Sequence, residues 1–108
     1  MVLRNLLENA VHYSQDAPEI GVSVVKSGRF AVLQIKDNGF GLTREQIKMV
    51  FKRFYRVDQP EERKRGTGLG LYIVASVMRD VGGSVSVVSP GLGLGSTFTL
   101  QIPLSSTG

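Results

Sequence analysis

The sequence has no cysteine, so neither a disulfide nor a thiolate metal site can contribute to what this chain does. It has no apolar run near the ~20 residues that a membrane-spanning helix needs, and its first residues lack the charged-then-apolar order of a secretory signal. Histidine occurs once, at position 12. Charged residues make up only 20% and are of both signs, against 42% hydrophobic residues, which excludes a disordered chain. What is present is enough for one core: 108 residues suit a single domain spanning 1–108. The formal net charge is +4, and much of the excess lies in Lys52, Arg53, Arg56, Arg63, Lys64 and Arg65. Such a cluster serves as a solvated face or attracts nucleic acid or a phosphorylated small ligand, and charge alone does not choose among these.

Periodicity divides the chain into short elements. Leu3, Leu6, Leu7, Ala10 and Val11 recur at helical spacing, which predicts an amphipathic helix from about Val2 to Tyr13. Because the chain opens in the middle of this helix, we expect sequence upstream of Met1. Ser14 to Glu19 reads as a turn. Gly21–Lys26 and Arg29–Asp37 read as strands joined tightly at Ser27-Gly28, with Ala31, Leu33, Ile35 and Asp37 on one face. A short helix is predicted from Thr43 to about Phe54, with Thr43 as its N-cap and Gln46 completing a capping box. Val57 to Gly70 shows no apolar period and reads as a long loop. A third helix carries Leu69, Ile73, Val74, Val77 and Val81 and stops at Gly82-Gly83. Two closing strands, about Ser84–Val88 and Ser96–Ile102, flank the glycine-rich Pro90–Gly95. The expected fold class is α/β (α+β): a two-layer sandwich in which about three helices cover one face of a mixed sheet.

Three features carry chemistry. Asn5 and Asn9 lie one helical turn apart on one face, and His12 continues that face. Taken singly, an asparagine there reads as part of a solvated helix back. As a pair, two neutral carboxamide oxygens suit Mg²⁺, a hard cation that shares its octahedral oxygen ligands among protein, water and phosphate. The second feature is glycine, clustered in Asp37-Asn38-Gly39-Phe40-Gly41, Gly66-Thr67-Gly68-Leu69-Gly70 and Gly91-Leu92-Gly93-Leu94-Gly95. Each cluster alone reads as a tight turn; together they suit a ligand held by main-chain N–H groups. The second cluster runs into a helix N-terminus, where free N–H donors favour phosphate. Its spacing fits neither a P-loop nor a dinucleotide fingerprint. The third feature is Asp37 on the core-facing side of a strand end. It either opens a turn through its own backbone bonds or meets a base-edge amine, such as the adenine amino group.

In order along the chain, LRNLLENAVHYS, DNGFGL, FKRFYR, GTGLGLYIV and GLGLGSTFTLQIPL resemble the N, G1, F and G2 boxes and the closing strands of the catalytic ATP-binding domains of sensor histidine kinases, in the Bergerat-fold (GHKL) superfamily. The resemblance runs from Leu3 to Leu104. It implies a nucleotide lying between helices and sheet under a lid at about 55–68. By that analogy Asn9 is the principal Mg²⁺ ligand and Asn5 assists metal or phosphate. Tyr13 packs on adenine or ribose, and Asp37 bonds the adenine amine beside Gly39 and Gly41. Arg56 reaches the terminal phosphates, and Gly66, Thr67, Gly68, Leu69 and Gly70 wrap the triphosphate. Thr97 in the closing strand joins the nucleotide-binding set, and Phe51 and Phe54 are lid hinges packed on the core. Asn9 and Arg56 are the residues expected to serve catalysis. The family usually has Lys or Arg where His12 stands, and a histidine of pKa about 6.5 is a weaker phosphate partner at neutral pH.

The implied activity is transfer of the γ-phosphate of ATP·Mg²⁺ to a histidine on the parent protein's own dimerisation domain. The implied wider partners are a homodimeric parent and, indirectly, a response regulator. The domain is expected to be cytoplasmic, with a parent anchored in a bacterial inner membrane. ATP-hydrolysing relatives such as gyrase, MutL and the large heat-shock chaperones carry a glutamate where Asn5 stands. A carboxamide cannot accept that proton, and Glu8 points about 100° away from Asn9, so the expectation is transfer rather than hydrolysis. Two other readings stay open: a serine protein kinase of the anti-sigma-factor type on the same fold, and a non-enzymatic nucleic-acid binder. The placing of the basic residues near the lid favours triphosphate over nucleic acid.

Overall fold

The computed structural model describes residues 2–12, 19–52 and 70–104. Its elements are α1 (Val2–His12), β1 (Ile20–Ser27), β2 (Phe30–Asp37), α2 (Arg44–Met49), α3 (Gly70–Asp80), β3 (Ser84–Val88) and β4 (Ser96–Pro103). The four strands form one sheet in the order β1-β2-β4-β3. The sheet expected as mixed is antiparallel in every described ladder. The chain runs from β2 through α2 and α3 to β3, and these two strands point the same way. β4, returning from β3, inserts between them and separates the one pair that would have been parallel.

The register explains the core. Because side chains alternate across a strand, rows of directly paired residues share a face. Ile35 of β2, Phe98 of β4 and Val87 of β3 form one buried row. Leu33, Leu100 and Val85 form the next. Leu6 and Ala10 of α1 and Val74 and Met78 of α3 close over these rows, joined by Leu42 and Val50 at the two ends of the α2 segment. Phe51 packs edge-on to Phe98, ring centroids 6.1 Å apart, as a core-packed residue should. The opposite face of the sheet carries Gln34 and Lys36 of β2 and their partners Thr99 and Thr97. β1 is an edge strand, exposed along nearly its whole length.

Several sequence boundaries shift. The β1–β2 turn is Gly28-Arg29 rather than Ser27-Gly28, because Ser27 pairs with Phe30. Thr43 caps α2 with both halves of the capping box present, but the helix ends at Met49, well before Phe54. A bond spanning three residues, from Lys52 N–H to Met49 C=O, tightens the chain there, so that buried Val50 and half-buried Phe51 turn into the core. In α3 the core-facing positions are Val74 and Met78, whereas Val81 is exposed. Val81 already belongs to the exit turn: Gly83 N–H bonds the Met78 carbonyl and Gly82 N–H that of Arg79, the paired bonds of a Schellman cap. In α1 the buried stripe narrows to Leu6 and Ala10, while Leu3 and Val11 face outward.

This narrowing sets a paired expectation. Leu6→Ala should cost about 2–5 kcal/mol by leaving a cavity under α1, and Leu3→Ala, four-ninths exposed at 46%, should cost well under about 1 kcal/mol. Urea denaturation of the two variants checks it; equal losses would place both leucines in the core.

Candidate nucleotide site

The C-terminal end of β2 brings a carboxylate into the core layer. Asp37 is only 5% exposed. Its Oδ1 accepts two backbone hydrogen bonds, from Gly39 N–H at 2.8 Å and from Ser96 N–H at 3.2 Å. Both donors approach the same oxygen, so among the described residues Oδ2 has no partner. Burial pushes the carboxyl above its ordinary value of 3.8, and the bonds from Gly39 and Ser96 offset this only in part. Asp37 therefore opens a turn through a backbone bond, one of the two readings the sequence offered, and its second oxygen is left without a partner among the described residues. The neighbouring Asn38 Oδ1 accepts from Glu19 N–H at 3.0 Å and ties the strand end to the residue preceding β1. A hollow of about 300 Å³, lined by Glu19, Ile20, Gly21, Lys36, Asp37 and Asn38, lies at this end of the hairpin.

The turn after Asp37 is clamped by the β3–β4 loop. Gly93 N–H donates to Phe40 C=O at 2.7 Å, and Gly95 N–H donates to Gly39 C=O at 3.2 Å. Gly41 and Gly95 have φ of 71° and 76°, and a Cβ at either would overlap backbone, the Gly91 carbonyl oxygen in one case and the Asp37 carbonyl oxygen in the other. The third glycine cluster was expected to offer main-chain N–H groups to a ligand. Two of those N–H groups instead hold the protein's own turn.

Asn5 and Asn9 are half-buried on α1 beside the Leu6–Ala10 stripe, and neither carboxamide has a partner among the described residues. α1 packs on α3 and on β2, the strand that ends at Asp37. Glu8 is turned to solvent and held by Arg4, Nε to Oε1 2.9 Å, so it is engaged away from the asparagine face. Gly70 is the exposed first residue of α3. His12 ends α1, and its side chain lies outside the described part, as do Tyr13, Phe54, Arg56, Gly66, Thr67, Gly68, Leu69 and the expected lid at 55–68.

Thr97 departs from its expected place. It pairs with exposed Lys36 and so belongs to the sheet face opposite the helices. The hydroxyl on the face of Asp37 is that of Ser96, directly opposite it in the ladder and 7% exposed, with no side-chain partner among the described residues. By the period of two Ser96 shares the inward face of Phe98 and Leu100, and the β2–β4 register sets it opposite Asp37. Ser89, the other residue missed, carries no signal of its own in the sequence.

Comparison with known proteins gives the class. Residues 1–106 match the family described as histidine kinase-, DNA gyrase B-, and HSP90-like ATPase. The sensor protein SrrB of Staphylococcus aureus (strain NCTC 8325 / PS 47) is 42% identical over 103 residues, 94% of this chain and 18% of SrrB. The mycobacterial sensor histidine kinase MprB superposes with a TM-score of 0.82 at 30% identity, over 94% of this chain and 67% of that one. Full-length ShkA, crystallised in complex with AMPPNP, superposes with a TM-score of 0.83 at 27% identity, over 96% of this chain and 21% of that one. The chain belongs to this ATPase family, among the catalytic ATP-binding domains of sensor histidine kinases. It spans less than a fifth, 18%, of the length of the curated relatives it matches. Among the described residues no helix is long and apolar enough to cross a membrane.

The raised pKa has a signed consequence. Folding favours the protonated Asp37, so this group's contribution to stability is complete below its unfolded value, near 3.8, and is lost as pH rises through the higher folded value. Relative to Asp37→Asn, the wild type should therefore lose stability as pH climbs through the acid range. Urea midpoints of both proteins across pH 3 to 7 measure this, and a difference that stays flat would contradict the burial argument.

Proposed function

We propose that the chain binds ATP·Mg²⁺ and, within its parent, positions the γ-phosphate for transfer to a histidine of the dimerisation domain of a two-component sensor kinase. The observation that carries the reading is the divided Asp37 carboxylate. One oxygen is met twice by backbone, and among the described residues the other is buried without a partner, on the sheet face it shares with Ser96. A buried acceptor left open costs several kcal/mol unless a ligand or water donor meets it. The adenine amino group is such a donor, whereas guanine presents a carbonyl at the same edge and would repel it. Support comes also from ShkA, which was crystallised with the ATP analogue AMPPNP.

The residues present fit a magnesium nucleotide. Asn9, with Asn5, offers neutral carboxamide oxygens on one helix face, which suits a cation whose remaining ligands are phosphate oxygens and water. When bound, Mg²⁺ supplies positive charge against the phosphate oxygens. Tyr13, Arg56 and Gly66–Gly70 keep the roles that the family resemblance implies, with Arg56 the cation for the terminal phosphates. Ser96 replaces Thr97 as the hydroxyl proposed for the base pocket. The protein's contribution to phosphoryl transfer is then positioning and charge neutralisation, since the transition state is loose. No carboxylate stands at position 5, and Glu8 is engaged by Arg4. Water activation of the kind seen in the hydrolysing relatives therefore lacks its base here, and the chain by itself should bind nucleotide and turn over little. A parent that is a homodimer, signals to a response regulator and is anchored in a membrane completes the proposal. The serine-kinase alternative draws no support from SrrB and MprB, which are a sensor protein and a sensor histidine kinase.

Isothermal titration tests this reading. ATP with Mg²⁺ should bind at least about tenfold more tightly than GTP, and equal affinities would mean that Asp37 does not read the base. Asn9→Ala should abolish the Mg²⁺-dependent part of ATP binding while circular dichroism and melting temperature stay those of the wild type. Unchanged Mg²⁺ dependence would remove Asn9 as the metal ligand.

A further inference from the structure

Ser89, at the end of β3, has every hydrogen-bonding capacity of its hydroxyl in use. The oxygen accepts from Leu42 N–H at 3.0 Å and from Gly91 N–H at 3.3 Å, and the hydroxyl donates to Gly95 C=O at 2.6 Å. A serine hydroxyl offers one donor and two acceptor sites, so nothing is left over. These partners belong to two separate segments. Leu42 closes the turn that starts after Asp37. Gly95 immediately precedes Ser96, whose N–H holds Asp37 Oδ1 and whose side chain lies on the same sheet face as Asp37. Gly95 also lies hard against the Asp37 carbonyl, with no room for a side chain.

We propose that Ser89 is a positioning residue for base recognition: one hydroxyl locks the glycine loop 89–95 to the acid turn 38–42 and thereby holds the turn whose Gly39 N–H fixes Asp37 Oδ1. Backbone bonds from Gly93 to Phe40 and from Gly95 to Gly39 also join loop and turn. Losing the Ser89 hydroxyl releases the Leu42 end of the turn, and with it the Gly39 N–H that orients the carboxylate. Ser89 thus acts on base recognition through Asp37. The inference rests on the reading of Asp37 as the acceptor for the base amine.

The test is titration of the full chain and its Ser89→Ala and Ser89→Thr variants with ATP, GTP and inorganic tripolyphosphate, each with Mg²⁺. Ser89→Ala should lose about tenfold in ATP affinity, keep its tripolyphosphate affinity, and lose most of its preference for ATP over GTP. Ser89→Thr, which keeps the hydroxyl, should restore that preference. An alanine variant that melts lower yet keeps the ATP-over-GTP ratio would overturn the proposal and make Ser89 a stability residue only, as would equal losses for all three ligands. A wild type with no preference for ATP would instead remove the reading of Asp37, and this inference with it. Should the alanine variant not fold, amide exchange in the wild type decides. ATP but not tripolyphosphate should slow exchange at Leu42, Gly93 and Gly95 together, and a response at Leu42 without the loop would contradict the coupling.

Discussion

The structure depends on a buried carboxylate that its own backbone satisfies only on one side. Asp37 sits in the layer where Ile35 and Leu33 would otherwise continue an apolar face, and two N–H groups from different parts of the chain meet at one of its oxygens. That arrangement explains why so much local structure is spent nearby. The Gly39–Gly41 turn folds back to donate, the β3–β4 loop lies across that turn, and β4 enters the sheet in a register that sets Ser96 opposite the acid. An apolar residue at position 37 would need none of this. Within the loop Gly95 leaves no room for a side chain against the Asp37 carbonyl, and Gly91 and Gly93 hold positive φ.

The fold was largely legible in the sequence, because its elements are amphipathic with clear periods and its turns carry glycine. The capping box at Thr43 and the alternation of Phe98, Leu100 and Ile102 announced α2 and β4 with little ambiguity. What periodicity could not show was which apolar residues lie outside. Leu3, Val11 and Val81 continue a helical pattern past the point where another element covers it. Met78 was overlooked as a core residue although it lies one turn after Val74. The antiparallel sheet was equally hidden, since the insertion of β4 between β2 and β3 follows from pairing and not from any local signal.

The site was legible in part. Asp37 declared itself as an acid on an apolar strand face, a conflict that local propensity does not resolve. Thr97 and Ser96 are adjacent hydroxyls; the alternation of Phe98, Leu100 and Ile102 puts Ser96 on the inward face, and what the sequence hides is that it stands opposite Asp37, which needs the strand registered against β2. The third glycine cluster looked like a ligand cradle because glycine serves close backbone approach of any kind. Here the approaching backbone is the protein's own: the loop holds the turn, and the turn holds the acid. Among the described residues the asparagine pair on α1 keeps open carboxamides, and Glu8 is committed to Arg4.

The most direct measurement is a crystal structure of this chain grown with Mg²⁺ and a non-hydrolysable ATP analogue. The account predicts the adenine amino group within hydrogen-bonding distance of Asp37 Oδ2, with Oδ1 still held by Gly39 and Ser96. A base bound elsewhere, or an Asp37 Oδ2 met only by protein groups, would contradict it.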